Sequence, residues 1–258
     1  MTTASTTSGA TAPLGVDIAG LSYRFGSTVA LADVTCAVRP GTITGLVGRN
    51  GAGKTTLAAL VAALRPVQTG TVLVGGRPVW EDPDVTSRIC LMRDKGAIVE
   101  DERIGTSLRI AAMLRPYWDG EYALALLDRF EVPVRRKPQQ LSRGKRSALG
   151  AAVALASRCE LTIFDEVYLG MDAVARRMFY DELMADYIAH PRTVILSSHL
   201  LDEVEDLMED VIVLDRGRVV AAGDTDAVRQ AHSRPGELAS LTDVLIQLST
   251  PSSARSAS

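Results

Sequence analysis

The sequence predicts an α/β fold: a mostly parallel sheet core, an antiparallel β portion and a helical subdomain inserted between strands. Three observations carry this. Short apolar strands alternate with helical patterns along most of the chain, as where "GTITGLVG" (41–48) leads on to "LAALVAALR" (57–65). Such alternation places helices on the faces of a parallel sheet. Glycine-punctuated strand pairs stand near the front and the back of the chain, the mark of antiparallel hairpins. Between about 96 and 158 the apolar residues recur at three- and four-residue spacing instead, which is helical.

In chain order, residues 1–14 are rich in Ser, Thr and Ala and read as a disordered leader without the basic and apolar regions of a secretory signal. "VDIAGLSYRFG" and "LADVTCAVRPG" are strands around a turn at Gly26-Ser27, and "GTVLVGGRPV" (70–79) is a hairpin. Helices are expected at "TSLRIAAMLRPYW", "YALALLDRF" and "GKRSALGAAVALASR", with Thr106 and Ser142 as N-caps. Strands resume at "LTIFD" (161–165) and "RTVILSS" (192–198), and "DVIVLDRGRVVAAGD" turns at Arg216-Gly217. Between them "AVARRMFYDELMADYIA" and "LLDEVEDLM" are amphipathic helices. Residues 15–248 form one domain, and 249–258 read as a disordered tail.

Composition excludes several classes. The net charge of −3 marks no bulk nucleic-acid binder, and none is expected as a partner. Cys36, Cys90 and Cys159 lack CxxC spacing, so neither a zinc site nor a disulfide framework is expected. No apolar run approaches the ~20 residues that cross a bilayer, so any membrane role comes through a partner.

Chemistry concentrates at two places. Gly48, Arg49, Asn50, Gly51, Ala52, Gly53, Lys54 and Thr55 fit G-x-x-x-x-G-K-[ST] between a strand and a helix, the context of a phosphate loop and hence of a P-loop NTPase fold. Glycines let successive N–H groups face one point, and the helix start adds positive potential. Lys54 would reach the β- and γ-phosphates of ATP, with Thr55 offering its hydroxyl to Mg²⁺. The second place is "LTIFDE", a strand ending in Asp165 and Glu166. At a sheet's carboxyl edge one such carboxylate organises Mg²⁺ while the next polarises water; alone, the pair is as readily a solvated strand end. His199 follows the strand "TVILSS", a candidate neighbour of the Asp165 strand, which would bring its imidazole near a γ-phosphate.

These pieces, in this order, resemble the ATP-binding subunit of an ABC transporter, with exporter-type character in the C-terminal "LASLTDVLIQLST". "GRNGAGKTT" is similar to the Walker A segment, "LSRGK" to the signature and "LTIFDE" to Walker B. "LGMD" is similar to the D-loop, and the stretch from "SSHLLDEVEDLM" to "GRVVAAG" to the H-loop and its hairpin. The resemblance implies that Phe25, with Tyr23 the second choice, stacks on adenine. It implies that Lys54, Thr55 and Thr56 bind phosphates and Mg²⁺, that Asp165 holds the metal through water, and that Glu166 is the general base. His199 would sense the γ-phosphate and Asp172 would face a partner subunit. Two such subunits, as a homodimer or heterodimer, would enclose two ATP molecules, each site completed by the other's Ser142 and Gly144. The whole would sit on the cytoplasmic face of the membrane and power a separate permease, in export.

Three departures stand out. Arg143 replaces a common glycine; "LSRGK" still opens a helix with its Ser hydroxyl and N–H groups intact, so the motif reads as variant but competent, with Lys145 keeping charge near the phosphates. Asp94, with Arg93 the second choice, stands where the family usually carries a Q-loop glutamine; its carboxylate is a further candidate for Mg²⁺. Val167 and Tyr168 occupy positions where Pro-Thr is common and are expected only to shape the loop. Two alternatives remain from the residues: a soluble ABC-type ATPase acting on ribosomes or DNA, and a partly degenerate subunit that completes another chain's site.

Overall fold

The computed structural model describes residues 12–93 and 99–249. The chain opens with β1 (Val16–Phe25) and β2 (Thr28–Val38), then β3 (Ile43–Gly48), α1 (Lys54–Val61), β4 (Thr69–Val74) and β5 (Arg77–Pro78). A short α2 (Pro83–Thr86) and β6 (Ile89–Arg93) lead to α3 (Ile104–Leu114), α4 (Gly120–Arg129) and α5 (Arg143–Ala156). There follow β7 (Leu161–Asp165), α6 (Ala173–Ala189), β8 (Thr193–Ser198), α7 (Leu201–Val204), β9 (Asp210–Asp215), β10 (Arg218–Asp224), α8 (Thr225–Ala231) and α9 (Leu241–Ser249).

Two sheets result. The smaller runs β2-β1-β4-β5 and is antiparallel throughout. The larger runs β10-β9-β3-β8-β7-β6 and is parallel except for its β9–β10 hairpin. Its central strands explain themselves: every residue of β3, β7 and β8 is buried, as expected of parallel strands covered on both faces. Successive side chains then enter different cores. Leu46, Ile163 and Ile195 pack with Leu57, Leu60 and Leu31 under the smaller sheet. Their neighbours Val47, Phe164 and Leu196 pack with Leu149, Phe179 and Met92 on the helical side. Each such side chain contributes roughly 1.5–3 kcal/mol by leaving water.

Where elements differ from expectation, a competing interaction accounts for most cases. Thr106 is not an N-cap. α3 begins two residues earlier, with Arg103 making no side-chain cap bond. Its first amides are satisfied instead by backbone, Ile104 N–H to Arg136 C=O (3.0 Å) and Gly105 N–H to Val134 C=O (3.0 Å). "LLDEVEDLM" yields only one α turn and a 3₁₀ turn at Glu205–Leu207. Asp202, Glu203, Glu205 and Asp206 crowd like charges at helical spacing, which weakens a longer helix. β6 and α8 were legible only as unassigned stretches. α1 stops at Val61, short of Arg65. Among the described residues no helix is long and apolar enough to cross a membrane.

Candidate nucleotide site

The carboxyl ends of four strands meet at one edge of the larger sheet. Arg93 stands opposite Asp165, Asp165 opposite Ser197, and Val47 opposite Ser198 in the strand registers. Every loop that leaves this edge therefore departs toward the same place, which is where open α/β sheets hold ligands.

The phosphate loop joins β3 to α1. Arg49 C=O accepts the Ala52 N–H (3.0 Å) and closes the turn. Gly53 then takes φ 108°, and a Cβ there would lie 2.8 Å from Ala30 O and 2.7 Å from Leu31 Cδ2. Only glycine meets both demands. No side chain caps α1 and its first turn holds no acid, so its leading N–H groups and positive end are left for an anion. The loop is also fastened from behind: Gly217 donates to Ala52 O (2.9 Å), and Gly217 O accepts the Ala32 N–H (2.8 Å).

Lys54 is buried and turned inward. Its Nζ donates to Gly48 O (2.8 Å) and Arg49 O (3.3 Å) and stands 3.5 Å from Glu166 Oε1. Glu166 occupies the left-handed region at φ 53°, held by its N–H to Ser197 O at 3.3 Å. The same Oε1 is 3.7 Å from His199 Nδ1. Lys54, Glu166 and His199 thus form one cluster, as the sequence led one to expect.

Asp165 is buried, and its Oδ1 has no hydrogen-bond partner. Burial is the main reason its carboxyl is held above its usual pKa; the Thr55 and Ser197 hydroxyls and Lys54 act against that, and Glu166 adds to it. An orphaned carboxylate oxygen beside a hydroxyl suits a divalent cation. Among the described residues there is no cluster of three or more His, Cys, Asp and Glu. Thr55 and Asp165 are the residues here that would hold Mg²⁺, together with phosphate oxygens. Asp94 lies outside the described residues.

Of the two aromatic candidates, Tyr23 is buried while Phe25 is 44% exposed. Their rings meet edge to face at 5.1 Å, and the Arg65 guanidinium lies over Phe25 at 4.8 Å. Phe25 is thus the more accessible of the two rings, with one face covered by Arg65.

Ser142 and Gly144 lie elsewhere, at the start of α5. Ser142 does cap that helix, accepting the Lys145 N–H at 3.3 Å. Beside it is a cavity of about 530 Å³ lined by Ser142, Arg143, Gly144, Gly170, Met171 and Asp172 among others, and by no residue of the phosphate loop. Arg143 fits because it lies on a glycine: its Cγ is 2.7 Å from where a Cβ on Gly170 (φ 100°) would stand. Lys145 has partners within the chain. Its ammonium is engaged by Phe130 O (3.0 Å) and Glu131 (2.9 Å), and the residue lines the same cavity as Ser142 and Gly144. Asp172 caps α6 through the Ala175 N–H at 2.8 Å.

One residue was undervalued. Tyr168, expected only to shape the loop, is buried, accepts the His199 N–H (2.8 Å) and lies 3.1 Å from His199 Nδ1. The available signal was a hydroxyl-bearing ring three residues past a buried carboxylate and next to the histidine's strand.

The chain is similar to known proteins over most of its length. The family described as ABC transporter matches residues 31–168, more than half of the chain. The chain is 29% identical over 218 residues to the ABC transporter ATP-binding protein YtrB of Bacillus subtilis, covering 84% of this chain and 74% of that protein. It is 30% identical over 226 residues to the daunorubicin resistance ATP-binding protein DrrA3 of Streptomyces coeruleorubidus, covering 84% and 71%. With the aliphatic sulfonates import ATP-binding protein SsuB 1 of Nocardia farcinica it shares 32% over 211 residues, 81% of each chain. Among solved structures, an ATP-binding subunit of an ABC transporter superposes with TM-score 0.80 at 26% identity, over 90% of this chain and 98% of that one. A dimeric ATP-binding cassette bound to ADP and Pi shares the fold, with TM-score 0.70 at 19% identity over 81% and 98%.

Proposed function

The chain belongs to the ABC transporter ATP-binding family of ATP-hydrolysing subunits, and on that premise we propose that it powers a separate transmembrane permease from the cytoplasmic face of the membrane. The observation that carries the reading is the meeting of Lys54, Glu166, Asp165 and His199 at one sheet edge.

ATP's phosphates take the N–H groups of residues 48–56, and Lys54 exchanges its carbonyl bonds for phosphate oxygens. Phe25 supplies the base contact. Bound Mg²⁺, held through Thr55 and Asp165, supplies neutralisation of phosphate charge. Glu166 accepts a proton from water as the water oxygen bonds to the γ-phosphorus and the bond to ADP breaks. His199 donates toward the γ-phosphate oxygens and stabilises their charge.

Ser142 and Gly144 complete the site from a second copy. Their separate cavity, free of phosphate-loop residues, supports this. The helical subdomain around α3–α5 passes the motion to the permease. Relatives' names cover import and export alike; we read the direction here as export, on the resemblance of α9 to the terminal helix of exporter-type subunits.

The test is Mg²⁺-dependent ATP hydrolysis by the purified chain across protein concentration, with Glu166→Gln alongside. The expected result is specific activity that rises with concentration and is lost in the variant. Specific activity independent of concentration would refute the two-copy site.

A further inference from the structure

We infer that Tyr168 is a positioning residue for His199, holding the imidazole in the tautomer that carries its proton on Nε2. The inference rests on the reading of His199 as a donor to the γ-phosphate and deepens it, by naming what keeps that donor in order.

The argument is one of hydrogen counting. The Tyr168 hydroxyl makes two bonds to one residue: its oxygen accepts the His199 backbone N–H at 2.8 Å, and it lies 3.1 Å from His199 Nδ1, with the Ser198 hydroxyl and the Leu200 N–H also beside it. A hydroxyl has a single hydrogen. The backbone N–H can only donate, so that hydrogen has Nδ1 to go to. The Ser198 hydroxyl, which accepts the Leu200 N–H at 3.0 Å, has its own hydrogen to give to the Tyr168 oxygen. Were Nδ1 protonated instead, the Tyr168 hydrogen would have to turn to Ser198 Oγ, which already accepts one N–H and would then lose the tyrosine oxygen as its own acceptor.

The competing influence is Glu166, whose Oε1 is 3.7 Å from the same Nδ1 and would draw a proton there. The tyrosine oxygen is nearer by 0.6 Å (3.7 − 3.1) and within hydrogen-bond range, whereas the carboxylate is beyond it. With Nδ1 occupied as an acceptor, the proton resides on Nε2. The two rings, 5.6 Å apart and tilted by 54°, limit rotation of the imidazole. Tyr168 also anchors the backbone at His199, so ring and main chain are registered by the same atom.

The test reads the imidazole nitrogens directly. The chain has three histidines, His190, His199 and His232, so ¹⁵N chemical shifts of the labelled, nucleotide-free protein at neutral pH resolve each tautomer. The expected result is the Nε2–H form at His199 in the wild type, and a shift toward Nδ1–H in Tyr168→Phe, with His190 and His232 unchanged as the control for folding. In turnover, Tyr168→Phe should lower kcat about tenfold, what one hydrogen bond of ordinary net strength amounts to, with KM for ATP little changed. Combined with His199→Ala it should cost no more than His199→Ala alone. An Nδ1–H form in the wild type, or a tautomer unmoved in Tyr168→Phe, overturns the inference. His199→Ala hydrolysing ATP at the wild-type rate overturns the role given to His199 itself; the two failures are distinct because the nitrogens are read without ATP.

Discussion

Lys54 and Glu166 share a contact across the site, Nζ to Oε1 at 3.5 Å, although they arrive from different strands of the larger sheet. The lysine therefore counterbalances the carboxylate before any nucleotide arrives. Replacing Glu166 by Gln removes the proton acceptor but leaves an amide oxygen of the same reach. ATP binding should persist while turnover falls about a hundredfold or more. Stopped turnover should accumulate an ATP-bound dimer on a sizing column; turnover at the wild-type rate would end the assignment of Glu166 as base.

Lys54→Ala leaves Gly48 O and Arg49 O without their donor and removes the one cation placed inside the loop. Affinity for ATP should fall about a hundredfold, the worth of one or two charge-assisted hydrogen bonds. Calorimetric titration measures it, and an unchanged Kd would take the loop out of the site.

Asp165 carries a testable stability cost. Its folded pKa is raised by burial, so its stabilising contribution is full below the ordinary carboxylate value and is lost as pH rises through the raised one. Above that range the charge is carried in a buried site, favoured by the Thr55 and Ser197 hydroxyls but with no partner on Oδ1. Asp165→Asn should melt a few degrees higher than wild type without nucleotide, by about 1 kcal/mol, and that advantage should shrink toward pH 4. Mg²⁺ with ATP should stabilise the wild type much more than the variant. A variant that melts lower at neutral pH contradicts the account.

Gly170→Ala places a methyl 2.7 Å from Arg143 Cγ at φ 100°. The strain should cost about 1–3 kcal/mol. Adding Arg143→Ala should recover the steric part and leave the backbone part. Full additivity of the two changes in thermal melts would mean the side chains do not touch.

How much of this was written in the sequence depended on whether a residue acts through its neighbours in the chain or across space. The phosphate loop was legible because its work is local: the glycines, Lys54 and Thr55 all sit on one turn and one helix start. Asp165 and His199 were legible because strand ends are local too, and only their adjacency needed the sheet. Tyr168 was not, since its importance lies in an atom 31 positions away. The partners of Lys145 were not legible either, because Phe130 O and Glu131 lie 15 and 14 positions away. Thr106 had the right chemistry for a cap, and lost the position to carbonyl groups from residues 134–136 that no local pattern announces. Arg143 takes the place of a common glycine, and what makes room for it is Gly170, 27 positions further along the chain.

The ties at Gly217 have a consequence for substitution. Because Gly217 binds Ala52 on one side and Ala32 on the other, the phosphate loop, the front of the antiparallel sheet and the last hairpin are stitched together at a single glycine. Three parts of the chain far apart in sequence thus hang on the backbone of one residue, whose φ of 77° and nearness to Ala30 O (2.7 Å from where a Cβ would stand) leave no place for a side chain.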